Sequence, residues 1–245
     1  MKLASAQIEA KIGDLEGNLN NHLQMIDIAS KNNADLIIFP EMSLTGYCRE
    51  EASKLAFTND DNRLTILKKE ASKNNIIIVV GAPIIIDSDL YIGSFIIYPN
   101  LKIKIYTKQF LHEGEDAFFK SSFNYNPIVK LEEETITLAI CADIDVEKHA
   151  ENAFKNDTTI YIPSIFFSEK GIKKGHETLQ YYAKKYNLHI LMSNYCGSHW
   201  NVIGGGKSAF WNNKGKKMNQ LNSEKKGLLI AEKNNNNWTL KSIQI

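Results

Sequence analysis

Along the first half of the chain, short runs of consecutive apolar residues alternate with stretches whose apolar positions recur every three or four residues. That combination predicts a layered α/β protein. Leu3 to Ile8 reads as the first strand. Leu19, Leu23, Ile26 and Ala29 then fall on one helical face after the Gly17-Asn18 start signal, and Ala34 to Phe39 predicts a buried strand that stops at Pro40. A second helix is expected from Asp60 to Lys73, with Leu64, Leu67 and Ala71 turned inward. It is followed by a strand from Ile76 to Val80 and a turn at Gly81-Ala82-Pro83.

The middle of the chain breaks the alternation. Tyr91 to Tyr98 and Leu101 to Thr107 are strand-like runs separated only by Pro99-Asn100, a hairpin signal, so the sheets must mix parallel and antiparallel neighbours. Further strands are predicted at Thr135 to Ile140, Thr158 to Ile162, His189 to Ser193, Lys207 to Trp211, Gly227 to Ala231 and Trp238 to Ile243. Helices are predicted over Val146 to Lys155 and over His176 to Tyr186, the latter with Leu179, Tyr182, Ala183 and Tyr186 at helical spacing. So many strands with about four or five helices suggest two sheets packed face to face and covered outside by helices. Asn212 to Lys217 and Asn234 to Asn237 read as surface turns, and no linker interrupts what is expected to be one domain over residues 1–245.

Composition and charge act mainly by exclusion. With 43% hydrophobic and 23% charged residues the chain can build an ordinary core. A net charge of +1, from 29 basic and 28 acidic residues, gives no overall field for nucleic acid or an anionic membrane. Met1 to Gln7 meets polar residues too early for a signal peptide, and no run approaches ~18 apolar residues, so a cytoplasmic protein is expected. Cys48, Cys141 and Cys196 are dispersed, odd in number and without a C-x-x-C pair, which argues against disulfides and a zinc site. A small buried hydrophobe is the ordinary reading of each, and Cys48 and Cys196 keep it.

Three residues stand where α/β folds place chemistry, at strand ends and the loops after them. Glu41 follows Phe39-Pro40, Lys108 follows Tyr106-Thr107, and Cys141 closes the apolar run Thr135 to Ile140 ahead of Ala142-Asp143. Singly they read as a rim carboxylate, a strand-end lysine and a core cysteine. Together a thiol, a carboxylate and an ammonium are the minimal set for acyl transfer through a thioester, because the thiolate needs a base and the tetrahedral oxyanion needs a cation. Spacing alone does not bring them together. His112 in Phe110-Leu111-His112-Glu113 would suggest a cysteine–histidine pair, but without a supporting motif it reads as a surface histidine. The Gly204 to Gly206 run lacks the context of a phosphate-binding loop.

Several blocks follow one another in a specific order. They are Ala4-Ser5-Ala6-Gln7 with Gly13 to Asn18, then Leu36 to Tyr47 around Glu41, then Tyr106 to Leu111 around Lys108 with Gly114-Glu115 downstream. Ile140-Cys141-Ala142-Asp143 and finally Ser193-Asn194 with Gly204 to Ser208 complete the series. Taken together they resemble the nitrilase superfamily of carbon–nitrogen hydrolases over nearly the whole chain. The resemblance implies a four-layer α-β-β-α sandwich with two mixed sheets, no metal or other cofactor, and dimers formed through the outer helices. It implies Glu41 as general base, Lys108 as oxyanion stabiliser and Cys141 as nucleophile. Glu115 would be the second glutamate near the lysine, helping to position substrate or to pass protons, and the Ala142 N–H a second oxyanion donor.

The sequence also departs from the family pattern. Many amidase branches follow the cysteine block with an Arg-Phe-Pro-Glu-like stretch, whereas this chain reads Ile144-Asp145-Val146-Glu147, so no branch's specificity residues carry over. The chain ends at Ile245 without the long extension of spiral-forming nitrilases and without a fused synthetase domain, which favours an amide over a nitrile. Tyr47, Phe166 and Phe167 are candidates to line the pocket, with ordinary core an equal reading for the two phenylalanines. The expected activity is cleavage of a non-peptide carbon–nitrogen bond in a small amide through a cysteine thioester. Hydrolysis of an N-carbamoyl compound, acyl transfer to an amine, and non-catalytic binding of a small molecule remain open alternatives.

Overall fold

The computed structural model describes residues 1–199, 202–235 and 237–245. The N-terminal half supplies β1 (Lys2–Gln7), α1 (Leu15–Lys31), β2 (Leu36–Ile38), the short α2 (Ala52–Leu55), α3 (Thr65–Asn74), β3 (Ile77–Ile86), β4 (Asp89–Ile97) and β5 (Ile103–Thr107). The second half supplies β6 (Val129–Leu131), β7 (Glu134–Ile140), α4 (Glu147–Lys155), β8 (Ile160–Ser164), α5 (Ile172–Lys185) and β9 (His189–Met192). A small hairpin, β10 (Cys196–His199) with β11 (Val202–Gly205), precedes β12 (Ala209–Trp211) and β13 (Lys217–Gln220). The chain then returns as β14 (Gly227–Asn234) and β15 (Asn237–Gln244).

One sheet has the order β15-β14-β1-β2-β3-β4-β5 and the other β13-β12-β9-β8-β7-β6. Each is parallel at its centre and antiparallel at its flanks, the mixed pairing the hairpin signal required. Alternation of side chains along the strands then decides which face meets which layer. In β1, Ala4 and Ala6 join Met25, Ile26 and Ala29 of α1 and Leu67 and Ala71 of α3 in one cluster. Leu3, Leu36, Ile38 and Val79 point the other way and pack with Ile136, Leu138, Ile140, Ile160 and Ile162 of the second sheet, in a cluster that continues to Leu179, Tyr182 and Ala183 of α5. The result is the four-layer α-β-β-α sandwich, with Val80, Ile78 and their neighbours fully buried.

Two differences from the sequence reading matter for the site. Gly81-Ala82-Pro83 is not a turn: β3 runs through it to Ile86. Its parallel partner β2 pairs only as far as Val79, so a proline without an N–H interrupts no ladder on that side, and the Pro83 carbonyl accepts instead from the Phe57 N–H. The turn lies further on at Asp87-Ser88, both at positive φ (50° and 73°), as a two-residue hairpin of the primed kind requires. Asp-Ser is a weak form of that signal, which is why β3 and β4 do not read as a hairpin in sequence. The second difference is in α1, where Leu19 and Leu23 are only half-buried while Asn18 and His22 are fully enclosed. Asn18 bonds the Lys11 backbone and the Leu44 carbonyl, and His22 bridges the Asn18 carbonyl at 2.7 Å and Ser43 Oγ at 2.9 Å. This polar stripe holds the loop that follows Glu41. Strands β6, β10, β11 and β13 carry no clear sequence signal. Of the turn expected at Asn234 to Asn237, the flanking residues end strands and Asn236 lies outside the described residues.

Candidate active site

The site forms where strand ends of both sheets meet. Glu41 sits just beyond β2, in a loop pressed against β3. A Cβ at Gly81 would collide with the Met42 N–H and approach the Pro40 carbonyl to 2.7 Å, so only glycine lets the loop come this close. Two bonds from the other half of the chain fix the loop's height: Ser164 Oγ donates to the Phe39 carbonyl at 2.7 Å, and the Tyr195 hydroxyl donates to the Glu41 carbonyl at 2.8 Å. Neither residue carries a sequence signal for such a role.

Lys108 follows β5, its N–H bonded to the Ile92 carbonyl at 2.8 Å, and its side chain is fully buried. Nζ lies 2.8 Å from Glu41 Oε1 and 2.9 Å from the Glu115 carboxylate. Glu115 in turn accepts from the Tyr47 hydroxyl and from the His112 backbone N–H, both at 2.8 Å. One ammonium is therefore shared between two buried carboxylates.

Cys141 begins a 3-10 turn, Cys141–Asp145, and holds a positive φ of 41°. For a residue with a side chain this conformation costs on the order of 1–3 kcal/mol and persists only where the surroundings enforce it. Asp143 does so. Its Oδ2 accepts from the Ile140 N–H at 2.8 Å and from the Tyr106 hydroxyl at 2.5 Å, and its Oδ1 accepts from the Gln109 and Phe110 N–H groups at 2.9 Å. One carboxylate thus staples the turn carrying Cys141 to the loop carrying Lys108. Asp143 reads in sequence only as part of a polar turn, because all its partners except the Ile140 N–H lie more than thirty residues away.

Electrostatics follow from this enclosure. Burial pushes the Glu41 carboxyl up, to about 7, against the pull of Lys108 and with help from Glu115. Glu115 goes the other way, since Lys108 and its hydrogen bonds outweigh burial and hold it below the usual carboxylate range. For Lys108, burial is overcome by the surrounding negative groups, Glu41 first, so it stays an ammonium. Burial and the Glu41 charge push the Cys141 thiol well above its ordinary value. Among the described residues Glu41 Oε2 has no partner of hydrogen-bonding geometry, while the Cys141 thiol acts on the same carboxylate. That oxygen is the acceptor open to the thiol proton.

A pocket of about 200 Å³ opens above these groups, lined by Glu41, Tyr47, Arg49, His112, Cys141, Phe166, Ser168 and Val202. Most residues singled out in the sequence converge here: Glu41, Lys108, Cys141, Glu115, Tyr47 and Phe166, with the Ala142 backbone in the Cys141 turn. Phe167 does not. Its ring packs against α5, where a Cβ at Gly175 would strike it, and its N–H bonds Asn194 Oδ1 at 2.9 Å. Adjacent residues leaving β8 in extended form point to opposite sides, so one of the pair had to turn away. The site also contains residues that sequence reasoning passed over. Arg49 lies at the pocket, its Nε donating to the Tyr47 hydroxyl at 2.9 Å. His112, read as a surface residue, has Nε2 3.3 Å from Cys141 Sγ.

A sandwich of two mixed sheets that delivers a cysteine, a glutamate and a lysine from three strand ends to one pocket has the architecture of the nitrilase superfamily. The chain belongs to the carbon-nitrogen hydrolase family, whose match spans residues 2–240. Among solved structures, the amidase of Nesterenkonia sp. AN1 has the same fold, with a TM-score of 0.85 and 19% identity, covering 96% of this chain and 93% of that one. Variants of that amidase have been seen with acrylamide or an acetamide moiety added to the active-site cysteine. In sequence the chain is 25% identical over 213 residues to the glutamine-dependent NAD(+) synthetase of Thermotoga maritima, covering 84% of this chain and 36% of the synthetase. It is also 25% identical to the protein N-terminal amidase of Schizosaccharomyces pombe over 160 residues, 59% of this chain and 56% of the amidase. The chain therefore spans well under half the length of that synthetase. No described helix is long and apolar enough to cross a membrane.

Proposed function

We propose that the protein hydrolyses a non-peptide carbon–nitrogen bond in a small amide through a thioester on Cys141. The observation that carries this reading is the convergence of Glu41, Lys108 and Cys141 at the floor of one small pocket. Glu41 takes the thiol proton as the sulfur attacks the amide carbon. The Lys108 ammonium and the Ala142 N–H hold the tetrahedral oxyanion, each such donor being worth about 3 kcal/mol. The proton on Glu41 passes to the leaving nitrogen as the carbon–nitrogen bond breaks. Glu41 then deprotonates the water that opens the thioester. Glu115 keeps Lys108 charged and in place throughout.

The pocket volume suits an acyl group of a few carbons. Arg49 beside it favours a substrate with a carboxylate at its far end, in line with the glutamine named for the synthetase relatives. Ammonia release is expected from short ω-amides of dicarboxylic acids or from glutamine ahead of neutral aliphatic amides, N-carbamoyl amino acids and nitriles. A panel run beside Cys141→Ala measures this, and activity confined to N-carbamoyl compounds, or absent throughout, would overturn the assignment. Since a protonated Glu41 cannot accept the thiol proton, kcat/KM is expected to rise with pH through about 7 and Glu41→Gln to remove that inflection. An inflection near 7 that persists unchanged in Glu41→Gln would count against Glu41 as the base.

A further inference from the structure

Cys141 Sγ has a second titratable neighbour that the scheme above does not use. His112 Nε2 is 3.3 Å from the sulfur, at the pocket mouth and on the loop between Lys108 and Glu115. The ring is half-exposed, and its position is fixed from both ends. Its backbone N–H is bonded to Glu115 Oε2 at 2.8 Å, and its Nδ1 faces Asp145 Oδ2 at 3.9 Å. Asp145 thus puts a negative charge behind the imidazole. At that distance the carboxylate acts through its field, favouring a proton on Nδ1 and turning the Nε2 lone pair to the sulfur. We propose that His112 is a second general base for the Cys141 thiol, acting beside Glu41 with Asp145 orienting its ring.

The proposal rests on Cys141 being the nucleophile. In the step it describes, the sulfur–hydrogen bond breaks and a hydrogen–Nε2 bond forms while the sulfur bonds the acyl carbon and the carbonyl π pair moves to oxygen. The imidazolium then returns the proton to the leaving nitrogen as the carbon–nitrogen bond breaks. No oxidant or further reactant enters.

The two bases differ in when they are free. Glu41, titrating at about 7, spends mildly acidic conditions protonated. His112 is held below its ordinary value by burial and by Lys108, with Arg49 adding to that and Glu115 and Asp145 opposing it. The Cys141 thiol itself is held neutral. Between the two titrations His112 still accepts a proton after Glu41 has lost the capacity, so the second base extends reactivity to lower pH.

The test reads the thiol directly, independently of substrate. Iodoacetamide labelling of Cys141 is followed by intact mass from pH 5 to 9 in wild type, Glu41→Gln, His112→Gln and the double variant. Glu41→Gln is expected to keep labelling with an inflection below the ordinary histidine range, and the double variant to lose that inflection and label at least about tenfold more slowly at pH 7. Asp145→Asn, a change at a half-exposed residue, should lower the Glu41→Gln rate in the same direction. Identical rates and profiles for Glu41→Gln and the double variant would overturn the role of His112. So would an unaltered Asp145→Asn rate, should His112→Gln fail to fold. If instead Cys141→Ala retained amide turnover, the functional reading itself would fall, whatever the labelling showed.

Discussion

Cys141→Ala is expected to abolish turnover, with a loss of at least about a thousandfold in kcat, while the protein remains folded. In nucleophilic mechanisms the members of a catalytic set act as a unit, so removing the attacking atom removes nearly everything the others contribute. Little stability is at stake, because one sulfur is lost from a turn held mainly by the bonds of Asp143. Cys141→Ser keeps the shape but offers a much poorer nucleophile to a base that titrates near 7, and it too should be severely slowed. Ammonia release, thermal unfolding and intact mass together make the check. An acyl adduct on the wild-type sulfur, absent from Cys141→Ala, would support the thioester, and wild-type rates in Cys141→Ala would end the assignment.

The second large effect is expected at Lys108, and it falls on stability as well as rate. Lys108→Met fills a similar volume but leaves Glu41 and Glu115 buried without the ammonium that bridges them. Breaking a buried ion pair by removing one partner costs about 3–5 kcal/mol. The sign with pH follows from protonation. Without Lys108 both carboxyls titrate higher in the folded protein than in the unfolded chain, so the folded state binds more protons. Stability is then greatest at acid pH, below the unfolded carboxylate values, and is lost as pH rises through the folded ones. The melting temperature of Lys108→Met should therefore lie well below wild type at pH 8 and approach it near pH 5, with kcat down at least about a hundredfold throughout. Adding Glu115→Gln should recover part of the stability at pH 8 and none of the rate. A melting temperature equal to wild type at pH 8 would mean the three charges are not coupled as their distances indicate.

These expectations mix what could be read along the chain with what could not. The strands around β2, β3, β7 and β8 were legible because each is buried on both faces and so reads as a run of mostly apolar and β-branched residues. Glu41, Lys108 and Cys141 were legible for a related reason, being polar or reactive residues set at or just after the ends of predicted strands. The hairpin between β3 and β4 was not, because Asp87-Ser88 adopts its turn without glycine, and because Pro83 is tolerated only where β2 has already ended. Phe166 and Phe167 were indistinguishable in sequence, since which of two neighbours faces a pocket depends on the direction in which the chain leaves β8.

By itself the sequence determined the layered α/β plan, the mixed sheets and the three reactive residues at strand ends, because burial writes periodicity and its endpoints into local composition. Only the tertiary structure decided that Lys108 is shared between Glu41 and Glu115, that Asp143 ties the cysteine turn to the lysine loop, and that His112 reaches the sulfur. Apart from the Lys108–Glu115 pair within one loop, each of these is a contact within about 3.3 Å between separate loops, through side chains or from a side chain to backbone. Such contacts are set by the packing of one sheet on the other, and packing leaves no periodic mark along the chain.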